Sequence, residues 1–233
     1  MRLVALAQAQ LQDVVRNPLL VLFAGILPVL GLIMKLAMPE SVQPVMVVLL
    51  SVMAPYFIGW NVAGHTLAEE KEKRQLEALF LTPVRPWQVV LVKGALGVVG
   101  TLVLGVVVLA VAGKVPDRPL LWFLSFLLLT LFAVAGGTLL GLLVKDMRTM
   151  AIGGTPIQLL LLFASTLPWA LAEPGFWEAQ AWLPTRPAVD LLRAGLFGDE
   201  TPVLRHALVM LAYTATLWLV NARLIRRLSL AGR

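Results

Sequence analysis

Charged residues divide this chain into long uncharged runs. Residues 17–34, 41–68, 94–113, 119–144, 149–172 and 206–222 contain no Asp, Glu, Lys or Arg and together exceed half of the 233 residues. Each run is close to or longer than the ~20 apolar residues that carry a helix across about 30 Å of hydrocarbon. With the capping and proline residues around them, they predict spanning helices at about 18–37, 43–65, 88–112, 119–144, 150–172 and 203–222. The expected fold is an all-α membrane protein of six transmembrane helices in one domain covering 1–233.

Residues 2–16 precede the first span with a different pattern. At 100° per residue Leu3, Val4, Ala7, Leu11, Val14 and Val15 share a face, while Arg2, Gln8, Gln12, Asp13 and Arg16 lie opposite and Leu6 and Gln10 fall out of place. That pattern predicts a helix lying in the membrane interface. Asn17-Pro18 reads as an N-cap followed by proline at the first helical position, where the spanning helix begins. The short apolar stretch before Gln8 falls below the roughly 7–15 residues of a signal-peptide core, so it is read as mature sequence.

Composition agrees with the pattern. The chain is 59% hydrophobic and 14% charged, whereas a soluble domain is nearer half apolar and about a quarter charged; this excludes soluble and disordered classes. The pieces between spans are too short for a soluble domain of ordinary size, so energy input must arise in the bundle or come from a partner. The net charge of +6 comes from dispersed residues without a soluble scaffold, which argues against nucleic acid. Cysteine is absent, which removes disulfides and Cys-based metal or redox sites.

With six spans both termini share a side. That side carries thirteen of the basic residues, including Arg2, Arg16, Lys71, Lys73, Arg74, Arg85, Lys93, Lys145 and Arg148, against six opposite: Lys35, Lys114, Arg118, Arg186, Arg193 and Arg205. The positive-inside bias therefore places both termini in the cytoplasm. Trp122, Trp169, Trp177 and Trp182 then fall near the outer interface, and Trp87 and Trp218 near the inner one. Pro28, Pro55, Pro156 and Pro168 are expected to kink their spans. Gly94, Gly97 and Gly100, and the pair Gly137 and Gly141, allow close helix contact.

No span carries a charge away from its ends, and no duplicated halves are evident, which argues against an ion-driven carrier. The two histidines, His65 and His206, fall at opposite ends of the bilayer, and no metal or nucleophile motif accompanies them. Asp190 and Arg193, at i,i+3 in the outer segment, are expected to form a local ion pair.

The segment after the second span carries more information. Glu69 with Lys73 and Glu70 with Arg74 are i,i+4 pairs in the favourable order. Leu76, Leu79 and Phe80 form an apolar patch one turn on, and Pro83 ends the element by disfavouring helix at Thr82. The expectation is a short cytoplasmic helix over about 69–82, tied at both ends to spans and able to act as a lever.

The run from Glu70 through Glu77 to Val84, an acidic-basic stretch leading into Leu-Glu-x-Leu and Thr-Pro, resembles the loop of ABC-2-type transporter permeases. It departs at Lys73-Arg74-Gln75, where that family often has Gly then Thr or Ser. The order of parts is also similar: interfacial helix, six spans, and an outer segment over about 173–201 in which Leu183-Pro184 and Pro187 to Arg193, closing at Gly198, look like a short re-entrant helix. The resemblance implies the permease subunit of an ATP-driven exporter in the inner (cytoplasmic) membrane, paired with an identical or homologous permease and surrounded by lipid. Each permease would rest on a separate ABC ATPase that carries ATP and Mg; this chain has no phosphate-binding loop of its own and is expected to hold no cofactor or metal and to catalyse nothing itself. The residues implied in ATPase coupling are Glu69, Glu70, Lys73, Arg74, Leu76, Glu77, Leu79, Phe80, Thr82 and Pro83. A haem-exporter B-like subunit of cytochrome c maturation is a similar alternative, and an intramembrane enzyme or a non-transporting scaffold are others.

The absence of cysteine makes the orientation directly testable. A Lys114→Cys protein should react with an impermeant maleimide added to intact cells, and a Lys145→Cys protein only after the membrane is opened. The opposite labelling would invert the topology.

Overall fold

The computed structural model describes residues 2–73, 86–166 and 184–231. Among these the chain is helical, and six helical segments are long and apolar enough to cross a membrane. Helix α1 is Arg2–Arg16 and α2, the first span, is Pro18–Ala37. The second span is α3 (Gln43–Ala54), a π-helical stretch Pro55–Trp60, and α4 (Asn61–Glu72). Helices α5 (Pro86–Ala112) and α6 (Pro119–Leu143) are the third and fourth spans. The fifth is α7 (Met147–Thr149), a π-helical stretch Met150–Gly154, and α8 (Thr155–Thr166). Helix α9 (Thr185–Phe197) precedes α10 (Val203–Ala231), the sixth span.

Several expected boundaries shift. The second span runs on to Glu72 rather than stopping near 65, so Glu69, Glu70, Lys71 and Glu72 form its last turn, not the first turn of a separate helix. The sixth span extends nine residues past its expected end at 222, because Arg223, Arg226 and Arg227 continue the same helix. The first span starts as read: Asn17 Oδ1 accepts the Leu20 N–H at 3.3 Å, satisfying one orphan donor of the helix start. The expected elements at 74–85 and 173–183, and the fifth span beyond 166, lie outside the described residues.

Helix α6 is central. It packs against α4, α5, α9, α10 and the Pro55–Trp60 stretch. The approach of α4 to α6 is nearly backbone to backbone: a Cβ at Gly141 would stand 2.7 Å from the Gly64 carbonyl oxygen, and one at Gly64 would stand 2.7 Å from that of Gly137. Without a hydrophobic drive between helices in lipid, such close packing supplies much of their adhesion. Helix α9 seats its buried Val189, Leu192 and Leu196 against the other end of α6, with Gly195 against the Trp122 backbone. Its C-terminal carbonyls at Gly195 and Leu196 accept the N–H groups of Arg118 and Asp117, and Gly198 closes it at φ +72°. Trp122 is therefore buried beneath α9 and stacked on Phe126.

Pro55 falls where the second span loosens into its π stretch, which frees carbonyls from the regular ladder. Two side chains take them up: Gln158 Nε2 from α8 donates to the Tyr56 carbonyl at 2.8 Å, and Asn61 Nδ2 donates to that of Phe57 at 2.9 Å. Pro28 is instead contained within a continuous α2, and Pro156 sits in the first turn of α8. At Pro55–Trp60 the irregular backbone of a span is thus satisfied by protein.

Replacing Gly141 with Leu should force α4 from α6. Overpacking of this kind costs about 1–3 kcal/mol, occasionally more. The expected outcome is a lower unfolding midpoint of the detergent-purified protein, with Gly153→Leu, which meets open space, staying near wild type.

Candidate functional site

Glu70, one of the charges predicted to open a cytoplasmic lever, is fastened into the bundle. In the last turn of α4 three consecutive residues point to different elements. Glu70 Oε1 accepts from Gln10 Nε2 of α1 at 2.8 Å and pairs with Lys93 Nζ of α5 at 3.1 Å, with all three side chains buried. Lys71 Nζ donates to the carbonyls of Leu142 and of Val144 (3.0 Å), which lack helical partners at the end of α6. An ammonium there also meets the negative end of the helix dipole. Glu72 Oε2 accepts the Met147 N–H at 3.0 Å, at the start of the fifth span.

Helical geometry explains the fan: successive side chains turn by about 100°, so three residues in a row address three sides. The same turn carries Glu69, which pairs at 2.6 Å with Lys73 as the i,i+4 spacing predicts. That bond, first of all, raises the Lys73 pKa above its ordinary value. At Asp146, acceptance of the Thr149 N–H at 2.7 Å caps the fifth span and holds the carboxyl below its ordinary pKa.

The site therefore differs from its prediction. Glu70 is engaged by Lys93 and Gln10; its expected pair with Arg74 falls on a residue outside the described ones. Of the ten expected coupling residues, Glu69, Glu70 and Lys73 are brought together here; Arg74, Leu76, Glu77, Leu79, Phe80, Thr82 and Pro83 lie outside the described residues. Gln10, Lys71, Glu72 and Lys93 belong to the cluster and were not singled out from sequence. One signal existed for Gln10: it and Leu6 broke the apolar face of α1. They form its docked side, Leu6 packing with Val89 and Val92 of α5, while Leu11 and Val15 are exposed.

At the other end, where an Asp190–Arg193 pair is expected, Asp190 pairs with Arg186 at 2.8 Å and Arg193 with Asp199 at 2.7 Å. An i,i+4 spacing aligns Arg186 with Asp190 on one face. The hydroxyls of Ser51, Thr101 and Thr130 each donate to the carbonyl four residues back, at 2.8, 2.7 and 2.7 Å, and so spend their polarity within their own helices.

A family model described as ABC-2 family transporter protein matches residues 32–223, most of the chain. This chain belongs to that family. It is a multi-pass membrane permease of the ABC transporter class, and permeases of this class partner with an ABC ATPase. Neither a curated protein nor a solved structure matches it. The matched range contains the entire last turn of α4 and excludes the whole of α1. In this permease the cluster thus joins a family-typical segment to an N-terminal helix through Gln10.

The pair at Glu70 should show the asymmetry of buried charges. Breaking such a pair from one side costs about 3–5 kcal/mol, whereas replacing both partners by apolar groups is often neutral. Glu70→Leu alone should sharply lower the unfolding midpoint of the purified permease. The Glu70→Leu, Lys93→Met double substitution should recover most of the loss.

Proposed function

We propose that the permease is the membrane subunit of an ATP-driven exporter, with both termini in the cytoplasm of the cell whose inner membrane it spans. A separate ABC ATPase would supply ATP and Mg, and a second permease would complete the pathway. The observation that carries this reading is the last turn of α4. It leads directly into residues 74–85, the segment whose sequence resembles an ATPase-coupling loop, and its residues hold α1, α5, α6 and the fifth span at once. Force applied to 74–85 would therefore reach four elements through one turn of helix. The basic bias of that end supports its cytoplasmic placement.

The distribution of burial supports a paired assembly. Within the most apolar windows, 72% of the second span and 61% of the fourth are buried inside the chain, against 22% of the first, 22% of the fifth and 17% of the sixth. The sparsely buried spans leave long apolar faces for lipid and for a second permease. Export, rather than uptake, follows from the resemblance of the loop and the order of parts.

The test is the activity of an ABC ATPase encoded beside this chain, co-purified with it. The ATPase should bind the wild-type permease and change its hydrolysis rate, and Glu77→Lys and Leu79→Asp should each abolish that change while the permease still folds. Wild-type behaviour of both variants would reduce 74–85 to a connector and end the coupling reading.

A further inference from the structure

Where α1 turns into α2, a cavity of about 250 Å³ lies between α1, α2, α4 and α5. At about 30 Å³ per molecule of liquid water it has room for roughly eight waters, too many for a single structural bridge. Six ionisable residues line it, Asp13, Arg16, Glu69, Glu70, Lys73 and Lys93, three of each sign.

Their pairing is uneven. Lys73 is satisfied by Glu69 at 2.6 Å and Lys93 by Glu70 at 3.1 Å. Asp13 and Arg16 have no hydrogen bond or ion pair among the described residues, although they lie one turn apart on α1. Glu70 Oε2 is buried without a donor among the described residues. The unmet needs are thus a cation at Arg16 seeking an acceptor, and two carboxylate groups seeking donors. A simple anion would answer Arg16 and be repelled by Asp13 and Glu70; a simple cation would do the reverse. A small zwitterion with a phosphate and a primary ammonium answers both, since such an ammonium offers three N–H donors. A quaternary ammonium offers none.

The cavity's place selects the source. Asn17 and Pro18, where the first span begins, line it alongside the last turn of the amphipathic α1. That is the depth at which the polar headgroup layer meets hydrocarbon. We propose that this cavity binds the headgroup of a phosphatidylethanolamine-type lipid, its phosphate at Arg16 and its ammonium at Asp13 and Glu70. The site does not depend on the export reading, because it needs only a membrane and the junction of α1 with α2.

The purified full chain, equilibrated with micelles containing equal phosphatidylethanolamine, phosphatidylcholine and phosphatidylglycerol, would be examined by native mass spectrometry. A hydrogen bond to a charged group is worth about 1.5–3 kcal/mol, so retention of phosphatidylethanolamine over phosphatidylcholine should be roughly tenfold or more. Asp13→Asn should bring that ratio close to one, and Arg16→Gln should reduce retention of phosphatidylethanolamine itself. Neither residue makes a hydrogen bond or ion pair among the described residues, so the variants should keep the wild-type unfolding midpoint in detergent. Equal retention of the three lipids by wild type, or enrichment unchanged in both variants, would overturn the proposal. Loss of the bound lipid to soluble glycerophosphoethanolamine would also overturn the lipid assignment, making the ligand a free aminophosphate.

Discussion

The near-contact of two backbones, α4 on α6 through Gly64, Gly137 and Gly141, sets the geometry of the rest. Helices in lipid gain little from burying apolar surface against each other, so adhesion depends on how closely they fit. With no Cβ at the crossing, α4 lies close enough to α6 for Lys71 to reach the last carbonyls of its neighbour. Once that register is fixed, Glu70 and Glu72 on the same turn fall beside Lys93 and the Met147 N–H. A side chain at the crossing would do more than cost local packing. It would displace the three contacts together, since all depend on the height and rotation of one helix.

The second constraint is the treatment of the backbone where the second span loosens. A π stretch inside a membrane helix survives only where other groups take up its carbonyls. Gln158 and Asn61 do so, and the buried Tyr56, Ile58 and Trp60 of the stretch pack toward α5 and α6. The loosened turn lies between α3 and the turn that carries the charges. The stretch is itself held close on α6, since a Cβ at Gly137 would collide with the Trp60 carbonyl oxygen.

The spans were legible in the sequence because a bilayer imposes one strong rule: long runs without charge must be helical. The α2 start was legible too, since Asn17-Pro18 is a local signal whose outcome needs no tertiary partner. Partner choice was not. The i,i+4 rule correctly paired Glu69 with Lys73, which stay at the surface, but gave no hint of the partners that Glu70 draws from α1 and α5, 60 and 23 positions away in sequence. The same rule favoured Asp190 with Arg193 only by proximity, where Arg186 stood on the better-aligned face. Gln10 and Leu6 show the limit most plainly. They looked like faults in an amphipathic helix because that helix was assumed to have one neighbour, the membrane. With α5 as a second neighbour, the faults become its docking side, and Leu11 and Val15 remain for lipid.

A buried ion pair is weak evidence for stability, because the desolvation of both charges offsets much of their attraction; its better-attested role is to fix one register over its rivals. The division of labour in this permease follows that logic. Glycine packing between α4 and α6 holds the helices together but, being apolar and smooth, resists sliding only weakly. The contacts of Glu70, Lys71 and Glu72 resist it strongly, because each needs an oxygen and a nitrogen within about 3 Å, and a shift of one helical residue breaks all three. They stand at the end of the bundle rather than its middle, where a displaced charge would meet hydrocarbon instead of water or headgroups. The cluster is thus placed where contacts can be broken and remade at moderate cost, a requirement for any transporter whose helices must occupy two positions.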